Sequence, residues 1–426
     1  MSTEAAPPQA RERAARPTPR SRVAVVMGAI VVPVVLAAAV VMAATWPDAS
    51  EGRRAGQDAG LIDVGVQYLD ATVVSTDAET CEGSIEDALP DGTVPSRVPC
   101  LHVQARLADN GRADDGQTVE VVAPAGITAT DVPAGTRIVV EHYPPVDGAD
   151  EVWAWSDFDR QVPLGTLALA FVVVTAVVAG WRGLRAIVGL VVAFVVLWLY
   201  VLPGLVAGTD PLLLALVASV VVMTFVLYLA HGVSARTTTA LLGTLAGLGA
   251  VTAIGTFAAW AARLQPVQSE DDYRLAGLLG DNGVAVLRGV FLCGLVFAGL
   301  GVLNDVTVTQ ASAVWELRAA DAGATWQQLF AGGMRVGRDH IASTIYTIAF
   351  AYVGASLPVL LLLQVYDQPL GRTLTSGAFA AEIVRTLAGS IGLVLAIPLT
   401  TAIAALAARR TPVTARMRRA SHTHAH

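Results

Sequence analysis

Eight stretches of the chain are apolar for long enough to cross a bilayer, which takes about 20 residues of helix. They are Val23–Thr45, Val162–Trp181, Ala186–Val206, Pro211–Ala230, Thr239–Ala262, Val284–Leu303, Ile341–Gln364 and Leu387–Ala408. Only the sixth carries a charge, Arg288, one turn from its start. The uncharged run of the first is longer than the 7–15 residue core of a signal peptide, and no small-x-small cleavage site follows it. It reads as an uncleaved anchor.

Between the first and second stretches the texture changes from long apolar runs to short alternating ones. Val64–Val74, Leu101–Leu107, Thr118–Val122, Arg137–His142 and Val152–Trp155 alternate with period two, separated by turn formers such as Asp109-Asn110-Gly111 and Asp114-Asp115-Gly116. That pattern predicts a small antiparallel sheet or five-stranded barrel. The expected architecture is an α-helical polytopic membrane protein of eight transmembrane helices with a small extracytoplasmic all-β, barrel-like domain. Its segments are a cytoplasmic tail (1–22), an anchor (23–45), the β domain (47–161), a seven-helix membrane domain (162–408) and a basic, histidine-bearing tail (409–426).

Composition agrees with a bilayer: of 426 residues 54% are hydrophobic and only 15% charged, against about a quarter charged in soluble chains. A disordered, collagenous or ordinary soluble protein is excluded. The charge is also unevenly placed. From Pro47 to Gln161, 22 acidic residues face 7 arginines, a net of −15, whereas the remainder holds 13 acids and 21 arginines, a net of +8. All 28 basic residues are arginine, which reads as the codon usage of a GC-rich genome. Cytoplasmic segments retain positive charge. Arg11, Arg13, Arg16, Arg20 and Arg22 before the first stretch, and Arg409, Arg410, Arg416, Arg418 and Arg419 after the last, place both termini in the cytoplasm of a cell-membrane protein. Arg182, Arg185, Arg236, Arg318, Arg335 and Arg338 fall on the same side, leaving the acidic β domain outside. There Cys81 and Cys100 bracket a polar loop, and a disulfide between them would contribute about 3 kcal/mol on the chain-entropy model. The third cysteine, Cys293, sits mid-span as a small apolar residue.

Candidate chemistry concentrates in Gly299–Pro358. If the sixth helix continues past Asn304, Asp305, Thr309, Ser312 and Glu316 share one face. The seventh stretch carries His340, Thr344 and Thr347 after Arg338 and Asp339, and Pro358 near its end. The eighth carries Pro398, Thr400 and Thr401. Polar groups at membrane depth usually face a bundle interior or a water-filled path, and prolines free backbone carbonyls. One reading is a solute or ion pathway through the last three helices, with Asp305 as its titratable group. The other is a cytoplasmic loop from Asp305 to His340 carrying an interfacial helix, with an Arg338–Asp339 ion pair and a packing stripe of hydroxyls. Gly243 and Gly247 fit small-xxx-small packing. His422, His424 and His426 alternate in the tail and could hold a transition metal weakly, or simply be solvated.

The chain has no Walker loop, no zinc-protease motif and no nucleophile elbow, and its arginines are explained by topology without nucleic acid. No cofactor is implied, and the chain is read as no enzyme. The leading expectation is a permease for a small solute or ion, embedded in the lipid bilayer. The main alternative is a scaffold or sensor whose outer domain docks a protein partner. A membrane enzyme using Asp305, Glu316 and His340 ranks third.

Four runs also resemble the YibE/F-like family of bacterial multi-pass membrane proteins: Asn304–Leu317 (NDVTVTQASAVWEL), Gly337–Ile341 (GRDHI), Ala351–Pro358 and Ile397–Thr401 (IPLTT). The layout of anchor, outer β segment and seven further spans is similar too, from about Val23 to Ala408. One departure is Tyr346, where the family pattern commonly has asparagine. The resemblance implies architecture and location; it implies no activity, since the family has no settled biochemical function.

Overall fold

The computed structural model describes residues 19–48, 50, 54, 65–83, 85–89, 91–109, 116–145, 150–267, 270–280, 283–365 and 369–411. His422, His424 and His426, the tail arginines before Pro19 and beyond Thr411, and turn residues 110–115 lie outside these. The chain divides into two compact units, Arg53–Val178 and the pair Met1–Gly52 with Ala179–His426.

The first unit holds β1 (Gln67–Cys81), β2 (Val98–Leu107), β3 (Thr118–Ala123), β4 (Arg137–Tyr143) and β5 (Val152–Phe158). They form one antiparallel sheet in the order β3-β2-β1-β4-β5, curled into a half-barrel. All five predicted strands are present. The largest difference is β1, which runs on past Val74 to Cys81. A bulge between Val73 and Ser75 shifts the register there, so the polar run Ser75–Thr80 pairs with β2 although it has no apolar alternation of its own. Inward positions of the strands, including Val73, Val103, Ala105, Val121, Ile138 and Val140, are fully buried and form the core with Val132. Cys81 and Cys100 form the expected disulfide, with Cα atoms 5.7 Å apart.

The helical elements are α1 (Pro19–Ala44), α2 (Gln161–Val196), a π turn at Leu197–Val201, α3 (Leu202–Val206), α4 (Pro211–His231), α5 (Ala235–Ala261), α6 (Glu270–Leu278), α7 (Gly283–Ala320), α8 (Trp326–Ala355), α9 (Leu357–Val365), α10 (Leu370–Leu374) and α11 (Gly377–Arg409). Helix starts follow from local chemistry. Asp210 accepts from the Leu213 amide at 2.7 Å with Pro211 in the first helical position, and Thr325 and Gln328 form a capping box at α8. The π turn sits just before Pro203, whose ring would clash with the Leu199 carbonyl in a regular helix.

Among the described residues six helical runs are long and apolar enough to cross a membrane, and the eight expected spans map onto them unevenly. Val162–Trp181 and Ala186–Val206 fall within one run of 46 residues, Gln161–Val206, about 69 Å long and so more than twice the hydrocarbon thickness. It is broken at Gly180, whose φ of 58° and ψ of −145° suit glycine alone. Ile341–Gln364 is shared between α8 and α9, which part at Ser356 before Pro358. It does not count among the six because Arg338–His340 and the hydroxyls of α8 dilute its apolarity. The helices expose large apolar side chains, including Val177, Trp198, Phe257 and Phe350, while burying small and hydroxyl residues. The exposed apolar side chains suit lipid contact, and the buried small and hydroxyl residues suit close helix packing beside a core that also holds Leu214, Leu241 and Leu303.

Candidate functional site

Thr244, Thr307, Gln310, Thr400 and Thr401 are buried where α5, α7, α8 and α11 meet. Glycine makes that convergence possible. A Cβ on Gly243 would lie 2.1 Å from Thr400 Oγ1, one on Gly247 2.8 Å from Leu303 Cδ2, and one on Gly337 2.5 Å from Ile397 Cγ2. The expected packing role of Gly243 and Gly247 is therefore observed, and Gly333 and Gly337 extend it to α8.

Gln310 is the hub. Its Nε2 donates to the Gly333 carbonyl at 2.7 Å and to Thr401 Oγ1 at 2.6 Å, joining α7 to α8 and α11. Thr401 Oγ1 in turn donates to the Ile397 carbonyl of its own helix. One turn earlier on α7, Thr307 Oγ1 and Thr244 Oγ1 of α5 share a 2.6 Å hydrogen bond. Thr400 Oγ1 and Asn304 Oδ1 are buried here with no hydrogen-bond partner among the described residues, as are Thr252 Oγ1, Trp315 Nε1, Arg318 Nε, His340 Nε2 and Arg385 Nε elsewhere on the same four helices. A buried polar atom without a partner costs roughly 1–3 kcal/mol, and Thr400 Oγ1 and Asn304 Oδ1 are those beside the Gln310 and Thr307 hydrogen bonds.

α7 is one unbroken helix from Gly283 to Ala320, so Asp305, Thr309, Ser312 and Glu316 do share a face as the spacing required. That face points away from the polar core. Asp305 is 73% exposed and Glu316 55%, and on a helical wheel the stripe lies roughly 160° from Leu303, Thr307, Gln310 and Val314, which are buried. Asp305 Oδ2 does approach His340 Nε2 of α8, at 3.6 Å, and Glu316 reaches Arg236 of α5 at 4.0 Å. Arg338 and Asp339 are exposed, and among the described residues they do not form the anticipated ion pair. Thr344 and Thr347 spend their hydroxyls on the His340 and Ser343 carbonyls of α8. Pro358 is exposed, and Pro398 is half-buried inside α11. Of the sequence-derived candidates, only Thr400 and Thr401 belong to the buried core. Thr244, Thr307, Asn304 and Gln310 were not singled out by sequence. The signal available was the Thr307-x-x-Gln310 step, which continues the buried apolar face of α7.

A cleft of about 480 Å³ lies elsewhere, between α1, α4 and α5, lined by Met27, Val31, Val35, Thr224, Tyr228 and Thr238. None of the polar-core residues lines it.

The family model of YibE/F-like protein matches residues 167–410, more than half of the chain. The chain belongs to the YibE/F-like family. No curated protein and no solved structure matches it. The YibE/F-like match starts inside α2 and takes in all four helices of the polar core, whereas α1 and β1–β5 lie outside it. It is thus narrower than the resemblance read from Val23 onward.

Proposed function

We propose that this YibE/F-like protein is a multi-pass membrane permease for a small solute or ion, with its pathway through the convergence of α5, α7, α8 and α11. The observation that carries the reading is the pair of buried, unpartnered oxygens, Asn304 Oδ1 and Thr400 Oγ1, beside the Gln310–Thr401 and Thr244–Thr307 hydrogen bonds. In a bilayer-spanning bundle such groups are expensive and serve a passing ligand best. Asp305, exposed on α7, and His340, partly buried on α8 with its Nε2 3.6 Å from the carboxylate, form the mouth. The reading includes no catalytic step, cofactor or nucleic acid.

The accompanying topology has eight crossings, with Gln161–Val206 crossing twice about Gly180 and α8 with α9 supplying the seventh. Both termini are cytoplasmic, and β1–β5 lie outside the cell membrane. The Cys81–Cys100 disulfide supports this placement, since disulfides persist in oxidising compartments.

The test is a thermal-shift screen of the detergent-purified chain against divalent metals, amino acids, organic acids and nucleotides. Wild type, Thr400→Val, Gln310→Leu and Asp305→Asn are run side by side. A ligand at 100 times its dissociation constant adds about 2.7 kcal/mol of stability. A shift present in wild type and lost in Thr400→Val and Gln310→Leu supports the buried pathway. A shift that all three variants keep overturns it, and a silent panel favours the scaffold whose β unit docks a protein partner.

A further inference from the structure

The outward face of the β unit carries a constellation that the permease reading does not use. Cys100 and His102 alternate on β2 and so share a face, and Cys81 ends β1 beside them. Their Sγ and ring nitrogen atoms all lie within 4.8 Å of one another. His102 Nε2 is 3.5 Å from Cys81 Sγ, and its Nδ1 is 2.6 Å from Glu120 Oε1 on β3. Gln104 donates to the other oxygen of Glu120 at 2.6 Å, fixing the carboxylate in place. A carboxylate only accepts, so Nδ1 is the donor to Glu120, and in the neutral ring Nε2, on the side of the sulfurs, is the nitrogen left to bind a metal.

We propose that Cys81, Cys100 and His102 form a Zn²⁺ site that opens when their disulfide is reduced, with Glu120 as the carboxylate behind the histidine. The spacing fits. Zinc bonds of about 2.3 Å to sulfur and about 2.1 Å to nitrogen, at a tetrahedral angle, separate S and N by about 3.6 Å, close to the 3.5 Å between Cys81 Sγ and His102 Nε2. A carboxylate on the far ring nitrogen is the usual support of a zinc-bound histidine. The fourth position of a tetrahedral site is left for water. The group is half-buried, so ions reach it from solvent.

The chemistry balances with a dithiol as reductant. One of its thiolates displaces a sulfur of the Cys81–Cys100 bond, and its second thiol closes on the mixed disulfide. The reductant leaves as a cyclic disulfide, with Cys81 and Cys100 as thiols. Zn²⁺ then takes both as thiolates, releasing two protons to solvent, and His102 binds through Nε2. In the disulfide form neither sulfur can act as a thiolate, so the bond is the gate.

The site is independent of the permease reading, and its test does not involve transport. The full-length protein in detergent is reduced with dithiothreitol, freed of it under argon, and titrated with Zn²⁺ against a chromophoric chelator. C81S/C100S is the baseline and absorbs any binding by the C-terminal histidines or Cys293. Reduced wild type should bind one Zn²⁺ beyond that baseline, and oxidised wild type none. Reduced H102A and E120Q should bind about 10–100-fold more weakly. Equal binding by reduced wild type and C81S/C100S overturns the proposal, as does undiminished affinity in H102A and E120Q. If reduction abolishes the strand signal in circular dichroism, its recovery on adding Zn²⁺ supports the site and failure to recover overturns it.

Discussion

Replacing Gly243 by alanine tests the closest approach of α5 to α11. The new Cβ would lie 2.1 Å from Thr400 Oγ1, 2.9 Å from Thr400 Cβ and 3.0 Å from Thr400 Cγ2. Rotating the threonine moves the first and third atoms but not the second. The helices must therefore separate by several tenths of an ångström, which at overpacked sites costs about 1–3 kcal/mol. Thr400→Ala removes two of the three obstructing atoms. By itself it also removes an unpartnered hydroxyl, so it should be close to neutral. Melting of the purified chain, followed by intrinsic fluorescence, should show G243A destabilised and G243A/T400A recovering a large part of the loss. T400V, which keeps the threonine shape, should give no recovery. Additivity of G243A and T400A within about 0.5 kcal/mol would mean that the two residues do not touch, and the packing argument for the polar core would fail with it.

Gln310→Leu removes two interhelical hydrogen bonds but strands no donor, because Thr401 still donates to Ile397; at about 0.6 kcal/mol per bond in membranes the same melting assay should show a loss near 1 kcal/mol. Ile138→Ala, at a fully buried position of the half-barrel core, should cost about 2–5 kcal/mol in denaturant unfolding of the β unit. Asp305→Asn, on a 73% exposed side chain, should leave expression and melting temperature unchanged while removing any proton-dependent ligand shift. The carboxyls of Glu120 and Asp131 are held low by hydrogen bonds, chiefly from His102 and Thr128 respectively, so their contributions to stability are present above their ordinary values of 4.5 and 3.8 and are lost as pH falls through the lowered folded values. E120Q and D131N should accordingly lower stability at neutral pH and flatten the acid limb of the stability curve, read by circular dichroism, with each variant converging on wild type below the lowered folded values.

The β unit was largely legible in the sequence because a half-buried strand declares its face by alternation. What stayed hidden was the tail of β1, where Ser75–Thr80 owes its strand conformation to pairing with β2 rather than to its own pattern. The helical unit was legible in its spans and less so in its faces. α7 carries polar residues on both sides, Asp305 and Glu316 on one and Thr307 and Gln310 on the other. Spacing alone cannot choose which side meets a neighbour. The partners that decide it, Gly333 and Thr401, lie 23 and 91 residues beyond Gln310. Charge drew attention to Asp305, but a charged side chain gains by staying near water, whereas an amide with two acceptors in reach can be buried.

The continuity of α7 has a mechanical consequence. Thirty-eight residues without a break or an internal proline make a rod about 57 Å long. Near one end Gly289 lets the Pro211 ring of α4 sit against it, and near the other Glu316 faces Arg236 of α5. A rod pivots as a whole. Tilting it by about 10° around its midpoint would carry the two ends about 5 Å in opposite directions. Gln310, beyond the midpoint, would then move relative to Gly333 and Thr401, so a push against the Gly289 end is felt at the polar core without any intermediate residue changing its backbone conformation.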